Sequence, residues 1–393
     1  MISYIMQYIM NKIELCDINS CTQCQACISV CPKLCVRMRE AKDGFAVPVI
    51  NRDECIECGL CMKSCHQITR HKEFTEPLHV YAAWSKNEAI RSQSSSGGVF
   101  SELAFTIIEQ GGIVYGAVMD NNLKVHHAQA DSVEELGQMR GSKYVQSDIS
   151  GVYNSVKDHL KSGRKVLFTG TPCQVAGLYA FLKQDRENLL TCDLVCHGIP
   201  SQKSFDTYCE KVGLNEEKIM EVSFRYTNGW GLQMSSKKTK NTPPHQQKWQ
   251  YISPRKSYYL RAFTSGLMFG EACYNCKYAR PERVSDITMA DFWGIGAEAP
   301  FLHPTQKGVS LLLVNTNKAQ QFVDGCNNLF TEERSLSEAI QGNHNLSECS
   351  ERPMQRDTYC ADAEKMTPEE LMTKYKLRPS PREYLRFLKR LIQ

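Results

Sequence analysis

With 393 residues the chain is long enough for two or three domains, each with a core of its own. Its net charge of +4 comes from 47 basic and 43 acidic residues mixed along the chain, which excludes the one-sided basic surface of a nucleic-acid-binding protein. Nineteen cysteines, ten of them before residue 66, mark the amino-terminal stretch for thiol chemistry.

The first residues, with Ile2, Ile5, Met6 and Ile9, are mildly apolar. They lack a basic start, a long apolar run and a cleavage site, so no signal peptide is expected. No later window approaches the length of a membrane span. Cys21, Cys24, Cys27 and Cys31, then Cys55, Cys58, Cys61 and Cys65, repeat the spacing C-x2-C-x2-C-x3-C. This is the bacterial two-cluster ferredoxin run, in which three cysteines hold one cubane and the fourth crosses to the other. It predicts one 4Fe–4S cluster on Cys21, Cys24, Cys27 and Cys65, and a second on Cys55, Cys58, Cys61 and Cys31. Zinc sites use cysteines in separated pairs, which argues against zinc knuckles. Pro32 follows the first run, whereas His66 stands where the second proline would be. Cluster ligands must be reduced thiolates, so a cytoplasmic location is expected. Between the runs, residues 36–38 and 45–50 flank Asp43-Gly44 and predict a hairpin. Residues 67–77 are polar and end at Pro77, a linker that closes a ferredoxin-type domain over residues 12–75.

A buried strand is predicted from His79 to Trp84, then the turn Ser94-Ser95-Ser96-Gly97-Gly98, a helix over 99–109 and a strand over 113–118. A serine–glycine turn at a helix N-terminus is a ready anion site; a flexible serine-rich loop has the same composition. Lys143, in the stretch RGSKYVQS, could add a cation to that anion, although a lone loop lysine is usually just solvated. His126 and His127 fall on a strand and read as structural. A second strand–helix–strand unit runs from Val166 through Gly170-Thr171-Pro172-Cys173 to a strand over 189–195 and Cys196-His197-Gly198. Thr171 suits the N-cap and Pro172 the first helical position. A right-handed crossover places Cys173 and Cys196 at one carboxyl edge of a parallel sheet, where ligands bind. Cys173 also opens a helix, which favours its thiolate.

Val222, Phe224 and Tyr226 alternate as a strand, and residues 236–248 read as an exposed basic loop. Cys273 and Cys276 form a C-x2-C pair. With Cys173 and Cys196 they supply four thiolates, enough for a third cubane; buried unliganded cysteines account for the same spacing. A last strand is predicted from Gly308 to Asn315, and a basic amphipathic helix from Tyr384 to Ile392, expected to dock on the body, with a partner or membrane surface as the alternative. Cys16, Cys35, Cys192, Cys209, Cys326, Cys349 and Cys360 read as small buried core residues.

The stretches SSSGG, RGSKYVQS, GTPCQVAGL, CDLVCHG, CYNC and RVSDITMADFWG occur in this order between about residues 78 and 330. Together they resemble the coenzyme F420 hydrogenase/dehydrogenase beta-subunit family. The resemblance implies an α+β chain: a two-cluster ferredoxin-like domain followed by an α/β flavin- and cluster-binding body. Its N-terminal-like region would span 78–160, its C-terminal-like region 163–330, and a helical tail 331–393. It further implies FAD contacts at Ser95, Ser96, Gly97, Gly98, Lys143 and Thr171, and cluster ligands at Cys173, Cys196, Cys273 and Cys276, with Cys192 a rival to Cys196. Electrons would pass between a redox partner protein or ferredoxin, the clusters and FAD, and as hydride to or from a small molecule. That molecule is coenzyme F420 or another organic substrate, and many relatives with the ferredoxin front end resemble parts of cell-surface polysaccharide pathways. A flavin is the natural converter between one-electron clusters and two-electron chemistry. The competing reading is a non-enzymatic electron-transfer adaptor without flavin. No acid or base is assigned; His197 and Asp291 lie near the right motifs.

Overall fold

The computed structural model describes residues 13–215, 219–225, 230–238 and 249–392. The apolar start with Ile2, Ile5, Met6 and Ile9, residue Tyr226, and residues 239–248 of the basic loop lie outside the described residues.

The two cysteine runs fold around a short hairpin. Strands β1 (Val36–Glu40) and β2 (Ala46–Ile50) pair antiparallel, with Met38 opposite Pro48. Gly44 takes the left-handed backbone, φ 80°, that the turn requires. Short helices Ala26–Ser29 and Leu60–Lys63 each contain the third cysteine of a run and lead to the fourth.

The body is built on one eight-stranded sheet. Its strands are β3 (His79–Ser85), β4 (Ile113–Met119), β5 (Val125–Ala130), β6 (Val166–Gly170) and β7 (Leu189–Leu194). Three more, β8 (Ile219–Arg225), β9 (Leu232–Lys238) and β10 (Trp249–Tyr251), form a separate antiparallel sheet in the order β10-β9-β8. The main sheet resumes with β11 (Ile287–Asp291), β12 (Ser310–Val314) and β13 (Leu329–Glu333), in the order β13-β3-β12-β11-β7-β6-β4-β5. The central strands β4, β6, β7 and β11 run parallel, as the crossover argument requires. Two antiparallel steps, β11 to β12 and β12 to β3, return β3 to the same direction. The carboxyl ends of β3, β6, β7 and β11 therefore share one edge.

The central strands are apolar on both faces because both are covered. Val166 and Phe168 pack with Val156, Leu160 and Leu178, whereas Leu167 packs with Leu103 and Ile107. Helix Val99–Glu109 thus covers one face, and helices Val152–Lys161 and Pro172–Leu182 the other. Each fully buried Leu or Phe there contributes roughly 1.5–3 kcal/mol. The small sheet packs Val222, Phe224 and Met234 against Phe205, Tyr208, Tyr259 and Phe263.

The expected tail boundary at residue 330 falls inside β13, an edge strand that sets Leu329 opposite Ser85. Beyond β13 the chain forms short helices, and the last, Pro381–Ile392, docks through Glu383, which accepts from Arg261 at 3.0 Å. Leu385 and Leu388 on that helix stay exposed. The ferredoxin hairpin is fastened to the body where Arg356 donates to Asp43 at 2.8 Å. Among the described residues no helix is long and apolar enough to cross a membrane.

Candidate functional site

The loops between the amino-terminal cysteines contain residues that are not glycine yet have left-handed backbone: Gln23 (φ 58°), Gln25 (φ 59°) and Glu57 (φ 52°). Such turns gather backbone N–H groups into a concavity suited to anions and iron–sulfur clusters. The thiols line two cavities. One is lined by Cys21, Cys24, Cys27 and Cys65; the other by Cys31, Cys55, Cys58 and Cys61. The fourth cysteine of each run has crossed to the other run's cavity. Sets of soft thiol donors of this kind fit iron–sulfur clusters. Among the described residues no group of three or more His, Cys, Asp or Glu side chains is arranged to hold a single metal ion. Burial pushes the Cys27 thiol up to about 12. Cys16 and Cys35, read from sequence as core residues, also line these cavities, one in each.

The body edge gathers its cysteines from distant elements. Cys173 opens helix Pro172–Leu182, Cys196 lies two residues past β7, and Cys273 and Cys276 flank the end of the turn Glu271–Cys273. Burial pushes the Cys196 thiol well above its ordinary range, and the neighbouring Cys273, Cys173 and Cys276 add to it. The helix start was expected to favour a Cys173 thiolate, but burial outweighs it and holds the thiol at about 11. Cys192 is fully buried within the sheet packing beside Leu167 and Leu190. It is Cys196, not Cys192, that the structure brings beside Cys173.

Arg283 holds this edge together. Fully buried, it donates to the carbonyls of Tyr278 (2.9 Å), Arg280 (3.0 Å) and Leu194 (3.2 Å) and pairs with buried Asp193 at 3.0 Å. It thereby ties the segment after Cys276 to the end of β7, just before Cys196. An arginine opening the apolar stretch RVSDITMAD was the only sequence sign of this role.

The first ferredoxin cavity backs onto the same edge. A Cβ on Gly177 would lie 2.8 Å from the Cβ and 2.9 Å from the Sγ of Cys24, so glycine lets helix Pro172–Leu182 approach the loop that carries Cys24. His66, buried next to Cys65, hydrogen-bonds Tyr278 through Nδ1 at 2.6 Å and Thr22 through Nε2 at 2.9 Å. Lys277 donates to the His66 carbonyl. The residue that replaces the motif's proline is thus the one that meets the segment after Cys276.

The serine–glycine turn lies at the same sheet edge, after β3. Gly98 has φ 91° at the N-cap of helix Val99–Glu109. Gly97 donates to Ser310 at 2.9 Å, and a Cβ there would collide with the Ala83 carbonyl. The space beside Gly97, expected from sequence to admit a phosphate, is taken by β3 and β12. Buried Glu102 in the helix's first turn accepts from Ser85 and already places negative charge at that terminus. Ser96 donates to Val309 and Ser95 accepts from the Ser142 N–H. Lys143 donates to the carbonyls of Gln138 and Arg140, each at 2.8 Å. Thr171 sits 3.1 Å from the Cys173 sulfur and caps its helix with Gln174. For a bound FAD the fit is partial: serine hydroxyls and the Lys143 amine are present, but burial holds that amine down to about 7 and the glycines answer to packing.

The two residues considered for proton transfer are engaged. Asp291 accepts from Arg225 (2.6 and 2.8 Å) and from Trp230, and Arg225 also donates to the Ser95 carbonyl. His197 uses both nitrogens, toward Asn345 (2.9 Å) and the Thr264 carbonyl (3.3 Å). His127 is structural, as read: it bridges Ser147 and the Thr169 carbonyl.

Comparison with known proteins agrees with this layout. The coenzyme F420 hydrogenase/dehydrogenase beta subunit matches by its N-terminal model over residues 80–154 and its C-terminal model over 163–337; a 4Fe–4S dicluster domain matches residues 20–67. An uncharacterized protein of Methanocaldococcus jannaschii is 26% identical over 210 residues, which are 45% of this chain and 57% of that protein. The chain therefore spans a little over half the length of that relative. A subunit of the F420-reducing NiFe hydrogenase complex of Methanosarcina barkeri aligns at 16% identity with a TM-score of 0.45, over 77% of this chain and 93% of that one. The chain belongs to the coenzyme F420 hydrogenase/dehydrogenase beta-subunit family, a family of oxidoreductase subunits, and carries a 4Fe–4S dicluster domain in front of the family body.

Proposed function

We propose that the chain is an iron–sulfur flavoprotein oxidoreductase that passes electrons between the ferredoxin domain and FAD by way of a third cluster. Its small-molecule partner is coenzyme F420 or another organic substrate, with a cell-surface polysaccharide pathway as one setting. The observation that supports this best is the contact of the first ferredoxin cavity with the four-cysteine edge, at Cys24–Gly177 and His66–Tyr278. When bound, the clusters carry single electrons and the flavin exchanges one or two, which joins cluster chemistry to hydride chemistry.

On this reading Cys21, Cys24, Cys27 and Cys65 hold the cluster nearer the body, and Cys31, Cys55, Cys58 and Cys61 the outer one. Cys58 is exposed, which suits the outer site to an external redox partner. Cys173, Cys196, Cys273 and Cys276 hold the third cluster, and Arg283 keeps their loops in register. Ser95, Ser96, Lys143 and Thr171 line the approach for FAD, with Gly97 and Gly98 shaping the turn.

The test is anaerobic purification followed by iron, sulfide and flavin analysis and reductive titration against deazaflavin, nicotinamide and ferredoxin partners. About twelve irons per chain are expected for three cubanes, with one releasable FAD that titrates with them. About eight irons and no flavin would replace this reading by an electron-transfer adaptor. One observation favours that alternative: Gly97, Gly98 and Glu102 are all explained by the protein's own packing.

A further inference from the structure

The second cavity is lined by five cysteines where a cubane uses four: Cys35 lines it together with Cys31, Cys55, Cys58 and Cys61. Cys35 is 3% exposed, and its sulfur stands 3.4 Å from that of Cys31. The approach is built by the backbone. Leu34 adopts φ 52°, which turns the chain after Pro32 back toward the cavity it has just left. Left-handed backbone at a leucine is strained and persists only where the surroundings impose it. Cys35 is then pinned at the start of the hairpin, its carbonyl accepting from Asn51 at 2.7 Å. The first cavity repeats the arrangement, with Cys16 as the fifth cysteine beside Cys21, Cys24, Cys27 and Cys65. A cysteine kept only for packing has no reason to face a cavity of thiols, and still less to do so twice.

We propose that Cys35 is a reserve ligand for the iron that Cys31 holds. This rests on the reading that the second cavity houses a 4Fe–4S cluster. In the exchange the iron–sulfur bond to Cys31 breaks and one to Cys35 forms. The proton leaving the Cys35 thiol ends on the Cys31 sulfur, and no electron moves. Cys31 lies on a turn after a short helix while Cys35 adjoins the paired strands, so the reserve ligand sits on the more rigid element. When Cys31 is absent or damaged, Cys35 keeps the cluster at four irons.

The experiment uses the full chain, purified anaerobically, as Cys31→Ala, Cys35→Ala and the double variant, with iron analysis and low-temperature electron paramagnetic resonance. Cys31→Ala is expected to retain wild-type iron and a four-iron spectrum, and so is Cys35→Ala. The double variant should lose at least one of the domain's roughly eight irons and show an oxidised three-iron signal or none at that site. The signal from the first cavity reports that the domain is folded. A three-iron signal already present in Cys31→Ala, equal to that of the double variant, would overturn the proposal. That single variant decides the matter even if the double variant fails to fold. Cys58→Ala, at a ligand that Cys35 does not approach, separates this failure from failure of the underlying reading: wild-type iron and spectra there would mean that the second cavity holds no cluster at all.

Discussion

Within the ferredoxin domain every candidate ligand lies between Cys21 and Cys65, and local turns with left-handed residues aim the thiols inward. At the body edge the four cysteines come from a helix start, a strand end and a separate turn that supplies two, spread from Cys173 to Cys276. The first arrangement depends on a few dihedral angles; the second depends on the whole sheet and on one buried ion pair. The difference predicts different weaknesses. The ferredoxin cavities should tolerate damage to the body, whereas the body edge should fail when its register fails.

The most drastic way to break this comparison is at β7. Cys196→Ala should remove about four of roughly twelve irons, the share of one cubane, and leave the ferredoxin signals intact. Cys192→Ala, inside the packing, should keep all the iron and cost about 1 kcal/mol of stability from the small cavity. Iron analysis and chemical denaturation check both. If Cys192→Ala loses the iron instead, the edge has been assigned to the wrong face of the strand.

Next in size is the ion pair. Both side chains of Arg283 and Asp193 are essentially inaccessible. Arg283→Met would leave a buried carboxylate without its partner, which costs about 3–5 kcal/mol. The loop after Cys276 would also lose its tie to Leu194, so the body should lose stability and its iron together. Denaturant unfolding followed by tryptophan fluorescence is a clean readout, since all four tryptophans lie in the body. A variant as stable as the wild type would show that the edge is held by something else.

The same contrast explains what could be read in advance. The grouping of the eight ferredoxin-domain cysteines around two cavities was legible because their spacing is written locally, and strands β3, β6, β7 and β12 because apolar runs bounded by turns announce themselves. Cys16 and Cys35 were not legible as cavity residues, because a left-handed Leu34 leaves no mark in composition. Gly97 reads in sequence as a phosphate's neighbour, because a sequence does not reveal that β3 and β12 close over it. His66 was visible only as a missing proline, and its partner Tyr278 lies in another domain. Strand β13 was lost in a polar stretch because an edge strand buries little.

A smaller effect concerns acid. Burial holds the His127 imidazole down to about 4, while it bridges Ser147 and the Thr169 carbonyl just before the turn that presents Cys173. The unfolded chain takes up this proton near pH 6.5 and the folded one only near pH 4. The stability contributed by neutral His127 is therefore complete above about pH 6.5 and lost as pH falls toward 4. A shift of this size corresponds to roughly 3 kcal/mol. Denaturation between pH 4 and 7 should show that slope in the wild type and a flatter one in His127→Gln. Equal slopes would remove this group as the acid-sensitive point of the body.

The smallest expected effect lies where the two regions touch. Gly177 is inside helix Pro172–Leu182, where alanine would ordinarily gain about 1 kcal/mol of helix propensity. Against that, the added methyl would meet the Tyr153 hydroxyl at 2.7 Å and Cys24 at 2.8 and 2.9 Å. Neither neighbour can yield easily. Tyr153 is held by its bond to the Gln174 carbonyl at 2.7 Å, and Cys24 is a candidate cluster ligand. Overpacking of this kind costs about 1–3 kcal/mol, so the contact should outweigh the propensity. Gly177→Ala should therefore be slightly less stable than the wild type, with all clusters present. Because the relief available is separation of the two domains, electron passage from the ferredoxin domain to the body should slow. Thermal unfolding and rapid-mixing reduction measure the two effects separately. A variant that is more stable and transfers electrons at the wild-type rate would mean that helix propensity has won, and that the seam is looser than the contact of Cys24 with Gly177 implies.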